Sequence, residues 1–316
     1  MLEVASLTVA LPMAGRLVPV LSGVSFALAR GESAGLVGES GSGKSMTALA
    51  IMGLLPPGAR VAGRIVFDGR DLLAAGESEL CALRGRRIGM VFQEPMTALN
   101  PLQTIGAQVA EPLRVHERLS RRAAAARARE LLARVGLASP RVTPDLYPHQ
   151  LSGGQRQRVV IATALACGPD LLIADEPTTA LDVTVQAQVL DLIAGLAADA
   201  GMALLLITHD LGVVSETVDR TMVMYAGRVV EQGPTAEVFA HMAHPYTRAL
   251  FAASPNEAGG LPAPIPGQVP DPAQRPLGCA FAPRCNRAAP DCAQAVPPIA
   301  GGGEHRAACL YPHVAL

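Results

Sequence analysis

The stretch Gly38-Glu39-Ser40-Gly41-Ser42-Gly43-Lys44-Ser45 constrains this chain more than any other. Ala34 to Val37 reads as a short buried strand leading into it, and Lys44 to Leu55 reads as a helix stopped by Pro56, Pro57 and Gly58. A glycine-rich loop between strand and helix, closed by Lys-Ser, fits the phosphate-loop pattern. Glycines let consecutive backbone N–H groups curl around phosphate oxygens, and the helix N-terminus adds its dipole. Lys44 is expected to reach the β and γ phosphates of a nucleotide, and the Ser45 hydroxyl to ligate Mg²⁺. Met46, next in the helix, is grouped with the nucleotide-binding residues. Lys44 is also the only lysine, every other residue among the 26 Lys and Arg being arginine. An Arg-rich composition of the kind a GC-rich genome produces would leave one lysine by chance. A site that needs a compact ammonium on a flexible stem would keep it for a reason. The loop around Lys44 decides for the second.

A chain of 316 residues can bury a real core as one large domain or two modest ones. A formal charge of −1 gives no basic field for a nucleic-acid partner. No apolar run approaches the roughly 18 residues of a membrane-spanning helix, Met202 to Ile207 being strand-sized. The N-terminus shows no basic segment followed by an apolar stretch. A cytosolic protein is expected, touching a membrane only through partner proteins.

Strands are expected at Val4 to Ala10, Val24 to Leu28 and Gly63 to Phe67. From about Glu94 to Ala166 the pattern turns helical, with Arg121 to Val135 in helix-forming order. Strands and helices then alternate at Leu171 to Ala174, Thr184 to Ala198, Met202 to Ile207, Leu211 to Val218 and Thr221 to Met224. That alternation predicts a mostly parallel sheet with helices on both faces and a helical block inserted into it. Composition shifts near residue 240, and Ala252 to Pro276 is Pro-, Gly- and Ala-rich without periodicity, as a linker or extended arm would be.

Leu171-Leu-Ile-Ala-Asp175-Glu176 is an apolar strand ending in two carboxylates, at the sheet edge where α/β folds hold ligands. Asp175 is expected to hold Mg²⁺, and Glu176 to polarise the attacking water. Leu151-Ser152-Gly153-Gly154-Gln155 opens a helix and forms a further anion site. In this order the three motifs resemble those of ABC ATPases, over residues 1 to about 240. The resemblance implies a P-loop NTPase core of ABC ATPase type, with an N-terminal antiparallel β subdomain and an inserted α-helical subdomain. It implies that two such subunits pack head to tail, so that Ser152, Gly153, Gly154 and Gln155 serve the partner's nucleotide. Gln93 matches the family's glutamine loop, which senses Mg²⁺ and the water. Ala180-Leu181-Asp182 matches the loop that lines the dimer seam, and His209 the switch histidine at the γ-phosphate. Where the family stacks adenine on an early aromatic side chain, Leu11 stands here, without the π face that adds about 1 kcal/mol.

Phe92 to Pro101, Asp182 to Gln188 and His244-Pro-Tyr-Thr247 look like the oligopeptide and dipeptide importer subfamily. The resemblance implies an ATP-hydrolysing subunit on the cytoplasmic face of a bacterial inner membrane. Its partners would be two permeases, a second ATPase of a different chain and, indirectly, an extracytoplasmic solute-binding protein. Close relatives serve nickel, glutathione and related solutes. A soluble ABC ATPase acting on ribosomes or DNA is the competing class, but neither a second cassette nor a long coiled-coil insertion is visible. The region 241–316, after the ATPase domain 1–240, carries Cys279, Cys285, Cys292 and Cys309. In a cytosolic chain these are metal ligands or free thiols, without the close Cys-x-x-Cys pairs of common zinc sites. Four thiolates can hold an iron–sulfur cluster, and the tail resembles that of dipeptide and oligopeptide importer ATPases, where such cysteines ligate a [4Fe–4S] cluster. Zinc and unligated thiols stay open. Cys81 and Cys167 read as small buried hydrophobes.

Overall fold

The structure is a computed structural model of residues 1–316, and residues 1–179, 181–254 and 263–314 are described below. The chain forms two compact units. One comprises residues 1–29, 33–74 and 206–316, the other residues 30–32 and 75–205.

The first unit opens with an antiparallel hairpin, Leu2–Met13 and Arg16–Leu28, longer than the alternating runs alone predict. Met13 pairs with Arg16, and the two turn residues Ala14 and Gly15 carry φ of 48° and 77°. Two consecutive left-handed residues give the turn whose twist matches paired strands. Arg60–Phe67 adds to the other side of Leu2–Met13, and Arg70–Asp71 completes a four-stranded antiparallel sheet. Leu2, Val4, Leu7 and Val9 are buried along the first strand, with a bulge where the alternation breaks at Ser6.

In the same unit Ser33–Val37 pairs in parallel with Arg220–Tyr225, which pairs antiparallel with Arg228–Pro234. The helix after the glycine-rich loop spans Lys44–Met52, shorter than expected. Gly53, left-handed at φ 64°, ends it before the prolines are reached, with its N–H donated to Ala50 and that of Leu54 to Leu49. The C-terminal extension adds its own strand, Arg306–Ala307, beside Arg228–Pro234. Glu231, fully buried on that strand, accepts from the N–H groups of Ala243 and His244 at 2.7 and 2.9 Å. It also pairs with His305 Nε2 at 2.8 Å, so both oxygens of this costly buried carboxylate have polar partners.

In the second unit Ile88–Val91 pairs in parallel with Leu171–Asp175. Its helices include Ile105–His116, Arg121–Arg134, Gly153–Ala164 and Val183–Asp199. Ser120 caps Arg121–Arg134 by accepting from Ala123 N–H, and Ala124, Ala128, Leu131 and Leu132 bury one stripe of it. The helical block is not continuous. Between Leu137 and Ser152 the chain runs in turns, apart from the short 3-10 helix Pro148–Gln150, which Pro148 opens. The architecture is therefore mixed α/β with an antiparallel N-terminal sheet, parallel strand pairs and an inserted set of helices.

Candidate active site

The loop between Val37 and Lys44 is drawn tightly against its own unit. A Cβ on Gly38 would stand 2.2 Å from the Met224 carbonyl oxygen and 2.9 Å from Ser42 Oγ, so only glycine fits. Lys44 is 4% exposed, and its Nζ donates to the carbonyls of Gly38 at 2.7 Å and Glu39 at 3.1 Å. The ammonium is thus folded over the loop that a nucleotide's phosphates would fill, held by acceptors weaker than phosphate. Ser42 Oγ is buried without a hydrogen-bond partner among the described residues. Ser40 and Gly41 are outward in the same loop, Gly43 caps the helix in a left-handed conformation, and Ser45 and Met46 lie half-buried in its first turn.

Glu39 is fixed from three directions. Its N–H donates to Tyr246 Oη at 2.8 Å, its carbonyl accepts from Lys44 and from Ser42 N–H, and its carboxylate receives Arg284 at 2.8 and 3.0 Å. Leu11 is half-buried on the first strand opposite Val18. His209 follows the strand Ala203–Thr208 and is exposed, immediately before Asp210, which caps the helix Leu211–Thr217.

The second unit carries the carboxylates. Asp175 closes Leu171–Asp175 and is 5% exposed. Glu176 follows with φ 45°, a left-handed conformation that costs a non-glycine residue about 1 kcal/mol or more. Its carboxylate accepts from Thr179 Oγ1 at 3.1 Å and from Gln93 Nε2 at 3.3 Å, across 83 residues of chain. Gln93 and Glu176, named from separate motifs, are therefore in contact. Ser152 caps Gly153–Ala164 reciprocally with Gln155: Ser152 Oγ accepts from Gln155 N–H and Gln155 Oε1 from Ser152 N–H. Gly153 and Gly154 form the first turn behind that cap. Asp182 caps Val183–Asp199 by accepting from Val185 N–H at 3.0 Å. Ala180 lies outside the described residues.

All four tail cysteines line one cavity of about 20 Å³, together with His244, Phe281, Arg287 and Tyr311. Burial pushes the Cys309 thiol up to about 11 and raises that of Cys279, and the neighbouring cysteines add to both. Backbone N–H groups turn toward these sulfurs, from Phe281 and Ala282 to Cys279, from Tyr311 to Cys309, and from Arg287 to Cys285 at 3.4 Å. The donor set suits a thiolate-ligated group. The space does not, since about 20 Å³ holds roughly one water, and the described residues contain no group of three or more His, Cys, Asp or Glu arranged to hold a metal ion. Cys81 is exposed rather than buried, set on a helix beside Glu77 and Arg84. Cys167 is half-buried, with its thiol raised to about 11 by desolvation.

Two residues were given no role by the motifs. Arg284 has no neighbour in sequence that announces it, apart from the adjacent Cys285. Tyr246 stood inside His244-Pro-Tyr-Thr247, and the structure gives that run a physical role. His244 Nδ1 accepts from Tyr246 N–H and caps Pro245–Ala253, which brings the Tyr246 hydroxyl to the phosphate loop. Burial holds His244 neutral, with its pKa lowered to about 3.

A glycine-rich loop with a buried lysine, a strand ending in paired carboxylates and a reciprocally capped Ser-Gly-Gly-Gln helix define a nucleotide-hydrolysing cassette. The ABC transporter family model matches residues 21–179, and the model for the oligopeptide/dipeptide transporter C-terminal region matches residues 230–292. A Brucella ovis protein named, provisionally, as a peptide import ATP-binding protein is 53% identical over 290 residues, 87% of this chain and 86% of that one. A probable peptide ABC transporter ATP-binding protein of Sinorhizobium fredii is 50% identical over 296 residues, 92% and 88% of the two chains. Among solved structures, a dimeric ATP-binding cassette in a post-hydrolysis state with ADP and Pi superposes at TM-score 0.67, with 32% identity. The match covers 74% of this chain and 99% of that one. The cbiO1 protein of Clostridium perfringens, part of the ABC transporter complex cbiONQ, gives 0.64 with 31% identity over 76% and 90%. The chain belongs to the ABC transporter ATP-binding family and is an ATP-hydrolysing transporter subunit. Membership implies dimerisation of cassettes and transmembrane partners, and no helix among the described residues is long and apolar enough to cross a membrane.

Proposed function

We propose that this chain powers the import of peptides through an ABC transporter, as a peripheral subunit on the cytoplasmic face of the inner membrane. The observation that carries this reading is the joining, in one chain, of an ABC ATPase region to an oligopeptide/dipeptide transporter C-terminal region. ATPase residues 1–240 bind and hydrolyse nucleotide, and residues 241–316 form the extension. Lys44 and the loop Gly38 to Gly43 hold the β and γ phosphates, and Ser45, Asp175 and Gln93 attend to Mg²⁺. Glu176 takes a proton from the attacking water while Gln93, hydrogen-bonded to it, orients both. His209 contacts the γ-phosphate. Ser152 to Gln155 and Asp182 complete the site of the opposing cassette, which is a different chain. Closure on ATP swings the two permeases, and hydrolysis resets them.

The test is mass spectrometry of what co-purifies with the tagged chain from detergent-solubilised membranes of its host. Two polytopic permeases and a second ATPase are expected. Their operon's binding protein, screened with peptides, nickel and glutathione, then separates the solutes. A chain that emerges alone, or with ribosomes, removes the transport reading.

For the tail we propose that Cys279, Cys285, Cys292 and Cys309 ligate a [4Fe–4S] cluster. Their convergence on one cavity and the N–H donors at their sulfurs support this, and the thiols must move apart and lose their protons to accept it. After anaerobic purification, iron and acid-labile sulfide should be present and should vanish in Cys285→Ser. Zinc in their place refutes the cluster.

A further inference from the structure

The chain has 4 Tyr, 6 Phe and no Trp, and three of these ten rings meet at one point. Tyr225, Tyr246 and Phe281 are each at most 2% exposed, with centroids 4.6, 5.2 and 5.3 Å apart. Arg284 lies against this knot, its guanidinium carbon 5.8 Å from the Tyr225 centroid and 6.0 Å from that of Phe281. The side chain is 5% exposed and its hydrogen bonds are nearly all spent inside. Nε donates to the Pro266 carbonyl at 2.8 Å, and one terminal nitrogen also reaches Tyr225 Oη at 3.3 Å. The two terminal nitrogens close as a fork on the Glu39 carboxylate. Glu39 passes this restraint on, because its carbonyl accepts from Lys44 Nζ and from Ser42 N–H.

We propose that Arg284, borne on the turn between Cys279 and Cys285, is a positioning residue for ATP. With Tyr246 it holds Glu39, and through Glu39 it fixes the phosphate loop and the resting place of Lys44. This rests on the assignment of that loop to ATP. A fork of two donors defines the carboxylate's plane as well as its distance, which a single ammonium cannot do. The C-terminal region is then part of the nucleotide site's scaffold, not a separate module tethered beside it. A loop ordered before ligand arrives does not have to be ordered by the ligand, so its loss is read as weaker binding.

The experiment is calorimetric titration of MgATP into the full chain, in the Glu176→Gln background to suppress turnover. Arg284→Gln should raise the MgATP Kd about tenfold or more, measured on protein whose cooperative melting shows it folded. In the hydrolysing enzyme it should raise KM for ATP by a similar factor and leave kcat within about twofold. Glu39→Gln should cost the same, and the double variant no more than either single one. Arg284→Lys should recover part of the loss. A lowered melting temperature with unchanged Kd, or costs that multiply in the double variant, overturns the proposal and leaves Arg284 as an adhesive for the tail. Should Arg284→Gln not fold, Arg284→Lys and Glu39→Gln carry the same comparison. Lys44→Ala separates the two failures. If it binds MgATP normally, the loop assignment itself falls. If it loses binding while Arg284→Gln keeps it, only the clamp falls.

Discussion

Lys44→Ala should lower steady-state ATP hydrolysis at least about a thousandfold, measured as phosphate release at saturating MgATP. Removing one preorganised donor to a developing oxyanion costs about 10² to 10³ in rate, and here the donor is a full cation placed for the γ-phosphate. The same substitution leaves the Gly38 and Glu39 carbonyls without their Nζ contacts, so a modest loss of stability accompanies it. The more discriminating variant is Lys44→Arg. Every other cation in the chain is arginine, so a guanidinium would be the expected occupant if position 44 asked only for charge. The planar fork is too wide for a site 4% exposed, where one nitrogen already sits 2.7 and 3.1 Å from two carbonyls. Lys44→Arg should therefore be impaired by about a hundredfold. Near-normal turnover would return the solitary lysine to chance.

Residues that act within a few positions of one another were legible in the sequence. The phosphate loop, the strand Leu171–Asp175 and the Ser152–Gln155 cap each form from contiguous backbone, so spacing carries the geometry. Boundaries were less legible where two stop signals compete. Pro56 and Pro57 are strong helix breakers, yet Gly53 ended the helix first because a left-handed C-cap satisfies carbonyls that a proline leaves open. The hairpin was underestimated for a related reason: Ala14 is not a residue that announces a left-handed turn. Helical character was overextended past Leu137, where the chain runs in turns up to the short 3-10 helix Pro148–Gln150. The Arg284–Glu39 pair could not be read at all. Its members lie 245 residues apart, and one arginine in an arginine-rich chain carries no mark of its partner. Glu176 was located by the apolar strand it follows and Gln93 by family resemblance, and only the fold shows that they touch.

Glu176→Gln should bind MgATP, hold the cassettes together as an ATP-dependent dimer and stop turnover. Gln keeps the length and shape of the side chain, and its amide oxygen can still accept from Thr179 Oγ1 or Gln93 Nε2. What it loses is the negative charge that draws a proton from water, a contribution of about 10² to 10⁴ in rate. The position should therefore tolerate an isosteric amide for binding while failing in chemistry. Asp175, buried at the end of the strand, is untouched by the change, and Mg²⁺ binding should persist. The measurement is phosphate release together with light scattering after gel filtration in MgATP, on the chain co-expressed with its partner cassette. Turnover above about a tenth of the wild-type rate would show that the proton goes elsewhere. Gln93, which already lies at 3.3 Å from the same carboxylate, would then be left orienting a water whose base is another group.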